Sequence, residues 1–240
     1  MKFNILAVND TNYLKLAISN INSYHRLDSE QEFILFLDDK CFESFAKYKN
    51  KLKNTSKVKI KEINNSKYWQ YNKILIFEEY FQKEDFIIID ADSVWYSLPV
   101  FNQNEITFLN ESYKLNDNIN GLNDLSDLHK ITNEVKPEMS NKQIGFLSIP
   151  KGLHYDGMVD EWKVLCEKIK NSKDIREGLN RQCEQMSLSL LVEINNMPFS
   201  FLKRDEKFND KNIIESLYWS CRGKGNAPGQ HQRLLKDMGW

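Results

Sequence analysis

The sequence predicts an α/β fold in which a mostly parallel central sheet is flanked by helices, and three observations predict it. Apolar, strand-like runs alternate with segments of helical period over the first ninety residues. The most apolar run, Phe86-Ile87-Ile88-Ile89, is unbroken, as in a parallel strand covered on both faces. No internal repeat or low-complexity linker interrupts this order, and 240 residues without an abrupt shift in composition suit one domain.

The elements follow in chain order. Phe3 to Val8 reads as a strand, then Leu14, Ala17, Ile18 and Ile21 share one helix face behind a cap at Thr11. Phe33-Ile34-Leu35-Phe36-Leu37 closes a βαβ unit and ends at Asp38-Asp39. Phe42, Phe45 and Ala46 mark a short helix, and Val58, Ile60 and Ile63 a half-exposed strand. Ser66 can cap a helix whose apolar stripe is Tyr68, Tyr71, Ile74, Leu75 and Phe81, which leads into the strand at 86–89. Strands are expected at Ile106 to Leu109 and Ile144 to Ile149, separated by an irregular, Asn- and Asp-rich connection from Tyr113 to Ser140. Met158, Trp162, Leu165, Cys166 and Ile169 form one amphipathic helix, and Cys183, Met186, Leu190, Leu191 and Ile194 a more deeply buried one. Phe199-Ser200-Phe201 is a late strand.

With 41% hydrophobic and 28% charged residues the chain is neither disordered nor fibrous. Thirty-three basic residues against 34 acidic leave a net charge of −1, which excludes a whole-molecule field for nucleic acid, so any anion site must be local. Phe3 to Val8 is too short an apolar run for a signal peptide or a membrane span, and Cys41, Cys166, Cys183 and Cys221 form no C-x-x-C pair. The expectation is a cytoplasmic protein with reduced cysteines. It allows at most peripheral contact with the inner face of the membrane through the cationic, aromatic C-terminus.

Ligands of open α/β sheets collect at the carboxyl ends of the strands, and the 86–89 strand ends in Asp90-Ala91-Asp92. Two carboxylates one residue apart can approach one hard divalent cation, magnesium or manganese, which can clamp a diphosphate and act as a Lewis acid for its departure. The competing account is that Asp suits the turn after a strand, as Asp38-Asp39 could illustrate.

The segment Asp85 to Val94 resembles the Asp-x-Asp motif of GT-A fold glycosyltransferases, especially the family 8-like enzymes whose strand reads Asp-Ala-Asp after an aliphatic run. The resemblance implies a single GT-A type domain over 1–240. Residues 1–112 would form a Rossmann-like nucleotide-sugar-binding half, and 113–240 an acceptor-binding and closing half. It places Ala7, Val8, Asn9 and Asp10 in the nucleotide pocket, although Asn and Asp are also common turn residues. Lys73 would lie near the diphosphate or donor sugar, or else be a solvated helix lysine. Asp90, Ala91 and Asp92 would form the metal and diphosphate edge.

Gln143-Ile144-Gly145 falls where the family carries Asn-x-Gly, with Gln in place of Asn, so that Gly145 would meet the donor sugar or serve close strand packing. Glu184-Gln185 matches the family's Asp-Gln pair beside the transferred sugar, against a polar pair facing solvent. Together with Asp92 these form the expected catalytic set. Near the C-terminus, Arg222, Gly223 and Lys224 resemble a loop closing over the diphosphate, with His231 as a third metal ligand, although the family's His precedes its Gly-Lys portion. Against this stands a basic tail.

The implied activity is transfer of a sugar, a hexose by family habit, from a nucleotide-diphosphate sugar to a glycan or other hydroxyl acceptor. UDP is the expected nucleotide and bacterial surface polysaccharide synthesis the expected setting. Two other classes stand beside it. One is a haloacid dehalogenase-type phosphatase, whose motif continues to Thr or Ser where this chain has Val94; the other is a noncatalytic nucleotide-sugar-binding module. His25, His129 and His154 lack partners at metal spacing, and Trp95 reads as core or, with Tyr96, as a flank of the acceptor sugar.

Overall fold

The computed structural model describes residues 1–64, 71–95, 97–114, 122–173, 175, 182–202, 235, 236, 239 and 240. They gather into two compact units. The first draws on the described residues of Met1–Asn65, Ile87–Val100 and Lys203–Trp240, the second on those of Ser66–Phe86 and Phe101–Leu202.

The first unit holds β1 (Lys2–Ala7), α1 (Thr11–His25), β2 (Glu32–Leu37), α2 (Asp39–Tyr48), β3 (Val58–Glu62) and β4 (Phe86–Asp90), with strand order β3-β2-β1-β4. All three pairings are parallel; Leu6 of β1 stands opposite Asp90 of β4, and Ala7 opposite Leu37 of β2. β1 and β2 each bury every residue after the first, and Phe86 to Ile89 are wholly buried, as unbroken apolar runs require. Leu14, Ala17, Ile18 and Ile21 are inaccessible to solvent, so the predicted stripe of α1 is its buried face. The cap of α1 is Asp10 rather than Thr11: its carboxylate accepts from the Asn12 N–H at 2.8 Å, and an Asp carboxylate also suits the positive end of the helix.

The second unit holds α3 (Asn72–Tyr80), β5 (Ile106–Lys114), α4 (Leu122–Ile131), β6 (Ser140–Ile149), α5 (Met158–Asn171), α6 (Cys183–Ile194) and β7 (Phe199–Phe201), with strand order β6-β5-β7. β5 runs antiparallel to β6 and parallel to β7. The expected irregular connection from Tyr113 to Ser140 is corrected here: β5 continues to Lys114, α4 occupies its middle, and β6 starts at Ser140. Strand pairing across polar residues such as Asn141 and Lys142 supplies the order that apolar alternation fails to announce. Ser66 and Tyr68 lie outside the described residues.

Phe77 of α3 meets Phe86 at 5.2 Å and Trp162 of α5 at 5.6 Å between ring centroids. α6 is buried from Cys183 to Val192 although it carries two serines there, because their hydroxyls bond back to the helix: Ser187 to the Cys183 carbonyl at 2.6 Å, Ser189 to the Gln185 carbonyl at 2.7 Å. The Cys183 thiol is held far above its ordinary value by its hydrogen bond with Cys166 and by burial, so it stays protonated.

Candidate active site

Three strands of the first unit end at the same edge of their parallel sheet. Beyond Ala7 the chain turns at Asn9, whose φ of 71° lies in the left-handed region that Asn tolerates better than most residues. The Asp10 N–H donates to the Val8 carbonyl at 2.9 Å across that turn. Asp38, at the end of β2, braces it: one carboxylate oxygen accepts from the Asn9 N–H at 2.6 Å, the other from the Cys41 N–H at 3.0 Å as the cap of α2. Lys40 donates to the Asn9 carbonyl at 3.0 Å. The side chains of Asn9 and Asp10 are exposed at this edge, while Ala7 and Val8 are buried beneath them. Burial, reinforced by hydrogen bonding to Asp38, pushes the Cys41 thiol up to about 12, which removes it as a nucleophile.

Asp90 and Asp92 stand half-buried at the end of β4, with Ala91 buried between them. The turn is held through the Asp90 carbonyl, which accepts from the Asn20 side chain at 2.9 Å and from the Ser93 hydroxyl at 2.7 Å. Asn20 is fully buried in α1, and its oxygen accepts from the Trp95 indole N–H at 2.8 Å; Ser23 accepts from the Trp95 backbone N–H at 2.9 Å. Trp95 is 1% exposed and set edge-on to Tyr24 at 5.4 Å, so it is core and does not flank an acceptor. The neighbouring Tyr96 lies outside the described residues.

The second unit gathers another set of expected site residues. Lys73 on α3 is 4% exposed and donates to the Ile144 carbonyl at 3.3 Å, which overturns the solvated-lysine account. Glu184 and Gln185, at 5% and 2% exposure, do not face solvent either. The Gln185 side chain accepts from the Ile144 N–H at 3.4 Å and donates to Gln182 at 3.2 Å, which also receives the Asn141 amide at 3.1 Å. Gly145 is buried next to Ile144. The Asn141 side-chain oxygen is buried with no hydrogen-bond partner among the described residues, an acceptor that a polar ligand could meet.

Sequence reasoning missed Asn20, Gln182 and Asn141, and read Asp38 only as a residue suited to the turn after a strand. Asn20 and Ser23 carried a signal, since they continue the buried face of α1 where apolar residues are the rule. Arg222, Gly223, Lys224 and His231 lie outside the described residues. Among the described residues no group of three or more His, Cys, Asp or Glu could hold a metal ion. Asp90 and Asp92, half-buried on one turn, are of the oxygen-donor type by which hard cations such as magnesium are held through one or two carboxylates, with phosphate and water completing the shell.

No family model and no curated protein sequence matches the chain. Solved structures do. The bifunctional glycosyltransferase WbbM, in its apo form, superposes with a TM-score of 0.52 at 13% identity, over 84% of this chain and 38% of that one. The galactosyltransferase LgtC, in complex with donor and acceptor sugar analogs, gives 0.51 at 13% identity over 84% and 73%. LgtC is matched again as an active-site mutant in which Glu replaces a glutamine. Mouse xyloside xylosyltransferase 1 gives 0.52 at 11% identity over 85% of both chains. The chain therefore has the α/β fold of the GT-A glycosyltransferases, mostly parallel in its sheet and flanked by helices, as its sequence predicts.

Proposed function

We propose that the protein is a divalent-metal-dependent, family 8-like glycosyltransferase. It takes a sugar, most simply a hexose, from a nucleotide-diphosphate donor with UDP as the nucleotide, and passes it to a hydroxyl of a glycan or other acceptor in surface polysaccharide synthesis. The observation that carries this reading is the Asp90-Ala91-Asp92 turn at the carboxyl end of β4, one strand over from the exposed Asn9-Asp10 turn of β1, on a fold shared with glycosyltransferases.

Asp90 and Asp92 would hold manganese or magnesium, which when bound supplies positive charge and Lewis acidity at the diphosphate. The Asn9-Asp10 turn, stiffened by Asp38 and Lys40, offers side chains to the base or ribose without first having to order its backbone. Within the second unit Lys73, Gly145, Glu184 and Gln185 keep the roles toward diphosphate and sugar that the resemblance implies. Gln185 is of the residue type altered in the LgtC active-site mutant. Arg222, Gly223, Lys224 and His231 keep theirs as a basic segment closing on the leaving group. The phosphatase alternative is disfavoured by Val94, which supplies no hydroxyl, and by a motif on the fourth strand rather than the first.

The test is turnover of UDP-sugars with and without manganese by the wild type and Asp92→Asn. Manganese-dependent release of UDP that falls steeply in the variant supports the assignment, whereas equal rates remove the metal role. Thermal-shift titration with UDP separates a noncatalytic binder, which would be stabilised with no dependence on manganese and no turnover.

A further inference from the structure

We propose that the first unit docks on anionic membrane surfaces through a lysine stripe, a property that does not depend on the enzymatic reading. Lysine occupies every second residue of 47–53 and again of 57–61, and that span contains no Asp, Glu or Arg, in a chain whose net charge is only −1. The stripe runs from the last turn of α2 through the 3-10 turns Lys49–Lys51 and Thr55–Lys57 into β3, the outer strand of the order β3-β2-β1-β4.

Guarding a sheet edge against pairing accounts for lysines on β3. It does not account for Lys47, Lys49, Lys51 and Lys53, which lie before the strand and are exposed. Glu43 and Glu62 border the stripe in sequence, and near β3 Glu30 pairs with Lys57 at 2.7 Å with Glu32 and Asp28 acting on the same lysine, so the acidic groups gather at the Lys57 end while Lys47 to Lys53 carry four exposed cations.

Two amphipathic rings are fixed within the same surface. Tyr48 lies under Lys15 and Lys47 at 5.3 and 5.4 Å, and meets Trp240 edge-on at 5.6 Å. Lys51 sits over the Trp240 ring at 5.7 Å, and the indole N–H donates to Ser19 at 2.7 Å. Half-exposed Trp and Tyr among lysines match the headgroup layer of a bilayer, where rings with a polar handle settle and basic side chains meet anionic lipid. Nucleic acid is the poorer fit. The stripe holds no Arg fork for phosphate or base edges, whereas lysine point charges suit a headgroup plane of no fixed geometry.

Co-sedimentation of the full chain with phosphatidylcholine vesicles, with and without phosphatidylglycerol, tests this. Binding is expected only to the anionic vesicles and is expected to vanish at about 0.5 M salt. Lys49→Glu/Lys51→Glu/Lys53→Glu should weaken it by about a hundredfold or more. Lys136→Glu/Lys151→Glu/Lys168→Glu, an equal charge change at exposed lysines outside the stripe, should weaken it less than about threefold. The corresponding triple Gln variant replaces the Glu one should that fail to fold, with loss again expected. No preference for anionic lipid, an equal loss in the control variant, or tighter stripe-dependent binding to an oligonucleotide than to the vesicles would each overturn the proposal.

Discussion

Two strands of the first unit end in aspartates at the same edge, and they are used differently. After β2, Asp38 is 4% exposed and both of its oxygens are engaged by backbone N–H groups, one from α2 and one from the Asn9 turn. After β4, the hydrogen bonds that hold the turn grip the Asp90 carbonyl, through Asn20 and Ser93, while the Asp90 and Asp92 side chains stand half-buried. A carboxylate that caps a helix stabilises the fold. Under the proposed function, the Asp90 and Asp92 carboxylates on a turn held through its backbone would be the pair that meets the ligand.

That contrast can be broken experimentally. The largest effect is expected for Asp92→Asn: a loss of about 10³-fold in manganese-dependent turnover, the equivalent of several kcal/mol of lost charge stabilisation, with Tm nearly unchanged. A matching loss in Tm would make Asp92 a structural aspartate like Asp38. Next is Asn20→Ala, which strips the Trp95 indole of its acceptor and the Asp90 carbonyl of one donor. It should cost about 3 kcal/mol, or roughly 9 °C in Tm, measured by thermal unfolding. Asp38→Ala should cost about 2 kcal/mol in urea unfolding by uncapping α2 and releasing the Asn9 N–H, and should weaken UDP binding without altering the response to manganese.

The smallest effect concerns His154 in the second unit, stacked on Phe81 at 5.6 Å and accepting from the Gln82 N–H at 2.9 Å. Burial holds its imidazole below the ordinary value of about 6.5. The unfolded chain therefore takes up the proton first, and stability declines as pH falls below about 6.5, by at most about 1.4 kcal/mol per pH unit until the folded imidazole is also protonated. His154→Leu should flatten that part of the urea midpoint against pH profile. An unchanged slope would mean that the ring is not buried in its neutral form.

The order of strands and helices was legible because burial of parallel strands leaves unbroken apolar runs, as at Phe33 to Leu37 and Phe86 to Ile89. α4 and the far half of β5 were not legible, because partly polar segments carry little periodicity and β5 is ordered by pairing with β6. The motif at Asp90 to Asp92 stood out by its place after an aliphatic run. The burial of Lys73 could not be read locally: a lysine is ordinarily solvated, and this one depends on the Ile144 carbonyl, 71 residues further along the chain.

Outside α4 and the far half of β5, the sequence by itself determined which segments become strands and helices and where carboxylates leave the sheet, since hydrophobic period and turn chemistry are local properties of the chain. Only the tertiary structure decided what those polar residues do. Whether Asp38 caps or binds, whether Lys73 and Gln185 are wet or buried, and whether Asn20 braces the Asp90 turn all depend on partners distant in sequence. A buried polar group is stable only where folding delivers its hydrogen-bond partner.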